Sequence, residues 1–293
     1  MTTAGQVVAR ARRMLRGSKR ERFNVLAQPV SASDTTLQFT NAITGLQVGD
    51  YLGLCSEILY VVDRDEAART VTVMRGVDDT TPVDHDQGDV VEINWRWLTA
   101  DLLAFLSDEI ASWPDGIFVP EQVTVSVGLS SREVDLPLTR YRFPLRARAR
   151  RSGRSEWVDI PAGHYRVETG LPTSQYPSGN ALVVKAGWGG SDILLDYAQA
   201  FGLPSVWRLD TDLDDVGLTA HLVDAAIYGI AWRALSADEA NRSDRTDQPE
   251  PRIADEVGSA DAMRAASAYK AIRDMRLEEE KRRLRQLYPL RVG

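Results

Sequence analysis

The residues best able to bind a metal or move a proton are carboxylates and histidines. The densest carboxylate group comprises Asp210, Asp212, Asp214 and Asp215. Alternating aspartates can chelate calcium, but an EF-hand loop starting at Asp210 needs glycine and glutamate where Asp215 and His221 stand. The group directly precedes Val216, so we predict helix capping and dipole compensation instead of calcium binding.

The histidines are His85, His164 and His221. His221 stands three residues before Asp224, and we expect the two to form a buried hydrogen-bonded pair on a helix. His85 lies between two aspartates in a turn, but no further ligand follows at a usable metal-binding spacing. Cys55 is the only cysteine, which excludes an internal disulfide and, we expect, any cysteine-based zinc site.

The sequence contains no familiar catalytic or nucleotide-binding motif. It has no Gly-x-Ser-x-Gly elbow, no Walker loop and no Gly-x-Gly-x-x-Gly after a strand. The glycine-rich stretch at 187–190 lies between predicted strands, with no helix behind it to hold a phosphate. We therefore expect a protein that is not an enzyme and needs no metal or cofactor. A cell-wall hydrolase with two opposed carboxylates is an alternative.

The composition of this 293-residue chain, with 43% hydrophobic and 26% charged residues, is that of an ordinary globular protein. Its net charge of −7 argues against a general nucleic-acid binder, because phosphate contacts need a basic surface. No apolar run approaches the roughly 20 residues that span a bilayer. Residues 1–16 lack the apolar centre of a secretory signal, so we expect no export signal.

The N-terminus is basic although the chain as a whole is acidic. Within a basic arm at 1–22, residues 3–16 can form a short helix, which either is loose or docks on a neighbouring subunit or an acidic or nucleic-acid surface. The candidate contact residues of this arm are Arg10, Arg12, Arg13 and Arg16.

Helical periodicity marks the elements that must position these residues. The apolar spacing within 95–116 predicts an amphipathic helix, and 218–235 is apolar on almost every side, which is typical of a helix inside a core. A third helix at 259–288 begins with an apolar stripe and becomes strongly charged from Arg276 onward. It would span about 45 Å, so we expect its distal half to need another subunit to complete its packing.

Short alternating segments separated by turn residues predict β-structure in two regions. The predicted domains are a basic arm at 1–22, a small β-barrel at 23–94, a core helix at 95–116, a β-sandwich insertion at 117–206 and a C-terminal helical core with a docking tail at 207–293. The predicted fold class is α+β multidomain, with a helical-bundle core, two β-barrel or β-sandwich modules and a long C-terminal helix.

One predicted strand of the sandwich carries arginines of a single parity. A β-strand places alternate residues on opposite faces, so these arginines share one face and apolar residues share the other. The set comprises Arg140, Arg142, Arg146, Arg148 and Arg150. This face either is solvated and prevents edge-to-edge pairing, or contacts an acidic neighbour or DNA in a lumen.

Two parts of the chain resemble bacteriophage virion proteins. Residues 33–93 look like a β module of tail and neck proteins, and the stretches that carry this likeness are Ser33–Leu37, Gly45–Leu52, Ile58–Val62, Val71–Gly76, Thr80-Thr81 and His85. The predicted helices at 96–113, 214–236 and 259–288 are similar in order and length to the core of head-to-tail adaptor (connector) proteins of long-tailed phages. The β insertion at 117–200 has no counterpart in small members of that family.

The resemblance implies a structural virion protein that forms a ring, a dodecamer in that family's pattern, between the portal and the next neck or tail protein. Double-stranded genome DNA would pass through the lumen, and no membrane is implied. The protein would assemble in the host cytoplasm and reside in the virion at the head-tail connector. The portal-docking candidates are Arg276, Lys281, Arg282, Arg283, Leu284, Arg285, Leu287, Tyr288 and Leu290.

A second hypothesis is a tail or baseplate protein whose sandwich binds surface glycans. It rests on three aromatic residues in the second β region, Trp157, Tyr165 and Trp188.

Overall fold

The computed structural model describes residues 2–15, 22–151, 153–245 and 259–289. The chain divides into two compact units. The first comprises Met1–Ser112 and Leu203–Arg276, and the second comprises Trp113–Gly202 and Leu277–Gly293. The insertion between the helical segments therefore forms a unit together with the distal end of the chain.

The elements of the first unit alternate between a β module and helices. In chain order they are α1 Ala4–Leu15, β1 Arg22–Val25, β2 Thr36–Gln38, β3 Tyr51–Leu54, β4 Glu57–Asp65, β5 Thr70–Met74, β6 Val90–Ile93, α2 Thr99–Ala111, α3 Leu213–Val216, α4 Ala220–Arg245 and α5 Ser259–Leu287. Helix α5 belongs to this unit as far as Arg276.

Strands β1 to β6 form one antiparallel sheet in the order β1-β6-β3-β4-β5-β2. The sheet is curled, so its two edges approach each other. The backbone of Leu26, after β1, forms a β-bridge with that of Phe39, after β2. Alternate apolar side chains fill the concave side. They include Leu26, Leu37, Phe39, Leu52, Leu54, Leu59, Val61, Val71, Val73 and Val91. The result is a half-barrel with its own apolar core.

Helices α1 and α2 both pack against α4. Helix α1 buries one face through Ala4, Val7, Val8, Ala11 and Leu15. The buried residues of α4 include Leu222, Val223, Ala225, Ala226, Ile227, Ile230, Ala231 and Ala234. The alanines allow the neighbouring helices to approach closely, but each buries little apolar area.

The second unit is built mainly from strands. They are β7 Val119–Val127, β8 Glu133–Asp135, β9 Tyr141–Arg151, β10 Val158–Ile160, β11 Tyr165–Thr169, β12 Asn180–Val184 and β13 Ser191–Gln199, with a 3-10 turn at Ala162–His164. The sheets β10-β9-β13-β7 and β11-β12-β8 share one core. Its buried side chains include Val125, Val127, Leu136, Ile160, Leu182, Val184, Ile193, Leu195 and Tyr197.

The predicted fold class is wrong. Over the described residues the structure is mostly β, with three sheets, one of them a half-barrel, and 30% helix, so the fold is not organised on a helical-bundle core, although a C-terminal helix is present as α5. The physical reason is that each β module buries its own core of large aliphatic side chains, whereas α4 buries many alanines. An apolar pattern on all sides of a helix therefore reports burial and does not identify the main core. The predicted domain boundaries remain predictions.

Candidate functional site

Four of the five arginines in the predicted set, which we call the arginine row, lie on β9, and three of these four meet aspartates on the neighbouring strands. Three ion pairs join them: Arg146–Asp159 at 2.6 Å, Arg148–Asp196 at 3.2 Å and Arg150–Asp192 at 3.0 Å. Side chains that are opposite or diagonal on antiparallel strands share a face and can interact. Each of these arginines therefore has its own carboxylate partner, and DNA phosphates would have to compete with aspartates for them.

The first two arginines of the predicted row are placed differently. Arg142 forms an ion pair with Asp115. Arg140 is exposed and precedes β9, with a φ of 50°. This left-handed backbone interrupts the strand alternation, so the parity argument does not extend to Arg140.

The aspartates on β13 were missed by the sequence analysis. Hydrogen bonds from Ser126 and Arg150 lower the pKa of Asp192, which keeps this carboxylate ionised beside its arginine. Asp192 and Asp196 stand an even number of residues apart in a strand, so they point to the same face. This spacing was a usable signal, but identifying the partner strand required the register.

The predicted N-terminal arm is a helix docked on the first unit. Arg10 pairs with Asp224 of α4 at 2.9 Å, and Arg12 pairs with Glu92 of β6 at 3.0 Å. The guanidinium of Arg12 also lies 4.4 Å from the centre of the Trp95 ring. Two of the arginines proposed for partner contact therefore bind within their own unit.

The other predicted residues of the N-terminal arm and of α4 are Arg13, Arg16 and the pair of His221 and Asp224. Arg13 is exposed, and Arg16 lies outside the described residues. The expected buried pair of His221 and Asp224 is wrong, because His221 is exposed and Asp224 pairs with Arg10.

The aspartate group before Val216 acts at the start of α3. Asp212 is the N-cap residue, and its carboxylate accepts a hydrogen bond from the backbone N–H of Asp214 at 3.0 Å. The prediction of helix capping is confirmed for Asp212.

A buried carboxylate joins α2 to α4 and α5. Glu109 is fully buried and accepts from Arg233 Nε at 2.9 Å and from Arg273 Nε at 2.6 Å. Gly229 permits this approach, because a Cβ there would lie 2.3 Å from Glu109 Cδ. Both guanidinium groups also lie near the Trp232 ring, at 5.3 and 5.7 Å from its centre. We call Glu109, Arg233 and Arg273 the helix clamp.

The predicted portal-docking segment is partly buried in its own unit. Leu284 is 1% exposed and packs with Phe118, and the ring of Tyr288 lies 6.3 Å from that of Phe118. Leu277 is also buried. Part of this half of the helix therefore packs within the chain itself, and its need for another subunit stays a prediction.

Charged side chains cover the rest of that segment. Lys281 pairs with Glu278 at 3.0 Å, and Arg283 pairs with Glu280 at 2.6 Å, both at a spacing of three residues. Arg276 is half-buried. Three docking candidates are exposed: Arg282, Arg285 and Leu287. Leu290 lies outside the described residues.

A cavity of about 520 Å³ opens beside this end of the chain. Leu287, Tyr288 and Pro289 line one side, and residues of β9, β10 and the 3-10 turn line the other. Of the exposed docking candidates, Leu287 lines this concave surface of the second unit.

The three aromatic residues proposed for glycan binding are engaged elsewhere. Tyr165 and Trp188 pack against the sandwich core. The guanidinium of Arg150 lies 4.8 Å from the centre of the Trp157 ring. All three side chains are half-buried and already make contacts within the second unit, and glycan binding stays a prediction.

An apolar row crosses the outer face of the half-barrel. Tyr51 of β3 is directly opposite Tyr60 of β4, which is directly opposite Met74 of β5. The two tyrosine rings make an edge-to-face contact with centres 5.4 Å apart. Met74 is 57% exposed and Tyr51 is 42% exposed. We call these three residues the barrel row.

Comparison with known proteins leaves the family open: no family model matches the chain, and no curated protein matches it significantly. Within the described ranges, no helix combines the length and apolar character that a membrane crossing requires.

Proposed function

We propose that this chain is a structural virion protein without enzymatic activity, a head-to-tail adaptor. Its copies form a ring that binds the portal on one side and the next neck or tail protein on the other. The observation that carries the proposal is the barrel row, because exposed neighbouring apolar side chains mark interaction surfaces. The stretches that resemble the phage β module are also those that build this half-barrel.

A second copy of the chain is the occupant that we propose for the barrel row. Each subunit of a closed ring offers two different faces to its neighbours, so an apolar face on one copy meets another surface on the next. The barrel row can supply one such face, because its three side chains lie on the outer face of the half-barrel and not in its core.

The charge distribution supports passage of DNA without tight contact. The chain carries a net charge of −7, and aspartates accompany Arg146, Arg148 and Arg150. A strongly basic lumen would hold phosphates through many ion contacts. Paired arginines and a net negative charge weaken such contacts.

The portal docks on the exposed C-terminal segment of the second unit. Arg282 and Arg285 supply charge, and Leu287 adds an apolar contact beside the 520 Å³ cavity. These residues retain the docking role that the resemblance implies, whereas the buried Leu284 stabilises the segment itself.

Native mass spectrometry of the purified chain tests the proposed assembly. We expect a closed oligomer, alone or after addition of portal rings from the same virus, and conversion to monomers by Met74→Asp. Leu129→Asp is the matched control, because Leu129 is 91% exposed in the second unit. A chain that stays monomeric in both conditions, or an oligomer indifferent to Met74→Asp, would contradict the proposed ring contact.

A further inference from the structure

A cysteine, a histidine and an aspartate meet at one rim of the half-barrel. Cys55 begins the turn between β3 and β4, and His85 and Asp89 lie in the loop before β6. The thiol sulfur, a ring nitrogen and a carboxylate oxygen lie within 4.8 Å of one another. We propose that these three side chains bind a zinc ion, and we call them the rim site.

The donor set suits zinc. Zinc binds thiolate, imidazole and carboxylate, and an open site has three protein ligands and one water. The side chain of Asp89 is 33% exposed, so solvent can reach the fourth position. A single cysteine excludes sites that need several thiolates, but it does not exclude this mixed set.

The spacing of His85 and Asp89 also suits a shared cation. His85 Nδ1 lies 3.7 Å from Asp89 Oδ2, which is too long for a direct hydrogen bond. Two ligands on a tetrahedral zinc lie roughly 3.3 Å apart, given bonds of about 2.0 Å. A small side-chain movement would therefore bring both atoms onto one ion.

A carboxylate behind His85 orients its ring. His85 Nε2 lies 3.1 Å from Glu57 Oε2, and both oxygens of Glu57 accept from Arg75 at 2.6 Å. Metal-binding histidines commonly donate their other N–H to such a carboxylate, which fixes the tautomer. With Nε2 turned to Glu57, the lone pair of Nδ1 is available at the rim.

Cys55 has an unusual backbone for its residue type. Its φ is 54°, in a left-handed region that non-glycine residues seldom adopt outside special sites. When zinc binds, the S–H bond breaks, a sulfur–zinc bond forms and the proton passes to solvent.

Titration of the untagged full chain with zinc chloride tests the rim site, with cobalt(II) as a spectroscopic probe. We expect one equivalent to bind, with a thiolate-to-cobalt charge-transfer band in the near ultraviolet. Cys55→Ser should abolish that band. It should also weaken zinc binding by more than the roughly 10–100-fold loss typical of an outer-shell partner. Asp89→Asn should weaken binding and keep the band, and Asp86→Asn, beside His85, is the matched control.

A measurement on the unaltered chain covers the case in which a variant fails to fold. Zinc should protect Cys55 from alkylation by iodoacetamide, and a chelator should restore the reaction. Failure of the wild-type chain to bind either metal, a cobalt band that persists in Cys55→Ser, or alkylation that zinc does not slow would overturn the proposal. None of these readouts depends on ring assembly.

Discussion

The helix clamp and the arginine row use the same chemical groups in different surroundings. In the clamp, Glu109 is fully buried between Arg233 and Arg273, whereas Arg150 and Asp192 of the row are each more than a third exposed. Burial removes water from the charges, so their mutual interaction must replace the lost hydration. Exposed pairs keep much of that hydration and contribute little. The difference teaches that the surroundings of an ion pair determine its energetic role more than its residue types do.

The largest expected effect comes from removing the buried carboxylate. Glu109→Ala leaves two largely buried guanidinium groups without their shared partner, so we expect a loss of about 3–5 kcal/mol in the free energy of unfolding. Urea denaturation followed by tryptophan fluorescence measures it. Glu121→Ala, at an exposed position of β7, should change stability by less than about 0.5 kcal/mol. If the two substitutions lowered the free energy of unfolding equally, burial would not explain the importance of Glu109.

A second buried carboxylate, Glu57, should make the stability of the chain depend on pH. Burial raises the pKa of Glu57, but hydrogen bonds from Arg75 and His85 outweigh it and lower the pKa from 4.5 to about 2. The folded state therefore favours the ionised form. The stabilisation, a few kcal/mol, is complete above pH 4.5 and is lost as the pH falls toward 2.

Denaturation curves across this acid range should show the loss in the wild-type chain. Glu57→Gln should be less stable at neutral pH and should lose less on acidification. Parallel pH profiles of the two proteins would show that Glu57 does not carry the dependence.

The close approach at Gly229 offers a test that leaves every charge in place. Gly229→Ala adds one methyl group at 2.3 Å from Glu109 Cδ, so we expect a loss of about 1–3 kcal/mol through overpacking. Gly163→Ala is the matched control, because a Cβ there meets nothing within 4 Å. Thermal unfolding of both variants would show the difference, and a Gly229→Ala protein as stable as the control would mean that the clamp adjusts freely.

The smallest effect is expected in the arginine row. Arg150→Ala should leave the free energy of unfolding nearly unchanged, because the pair with Asp192 is solvated. The variant should also leave the affinity for duplex DNA unchanged, measured by fluorescence anisotropy at several salt concentrations. A clear loss of DNA affinity with a shallower salt dependence would show that Arg150 contacts phosphates.

Local patterns predicted local features of the structure. Strand alternation predicted that Arg146, Arg148 and Arg150 share one face, where each now pairs with an aspartate of a neighbouring strand. The position of Asp212 before a helix predicted its role as the N-cap residue. Both inferences need only residues that are close in sequence. They depend on strand alternation and on hydrogen bonding within one turn.

Partners from distant parts of the chain could not be read from those patterns. Glu109 meets Arg233 and Arg273 across 124 and 164 residues. Cys55 meets His85 only because the half-barrel brings two loops to one rim. The fold class was missed for a related reason, because periodicity shows which residues are buried and does not show which core they join.

Cryo-electron microscopy of purified virus particles tests the adaptor assignment most directly. The account predicts a ring of this chain between the portal and the tail, with a neighbouring copy covering Tyr51, Tyr60 and Met74. Absence of the chain from the particles, or its presence in only three or six copies at the tail tip, would contradict it.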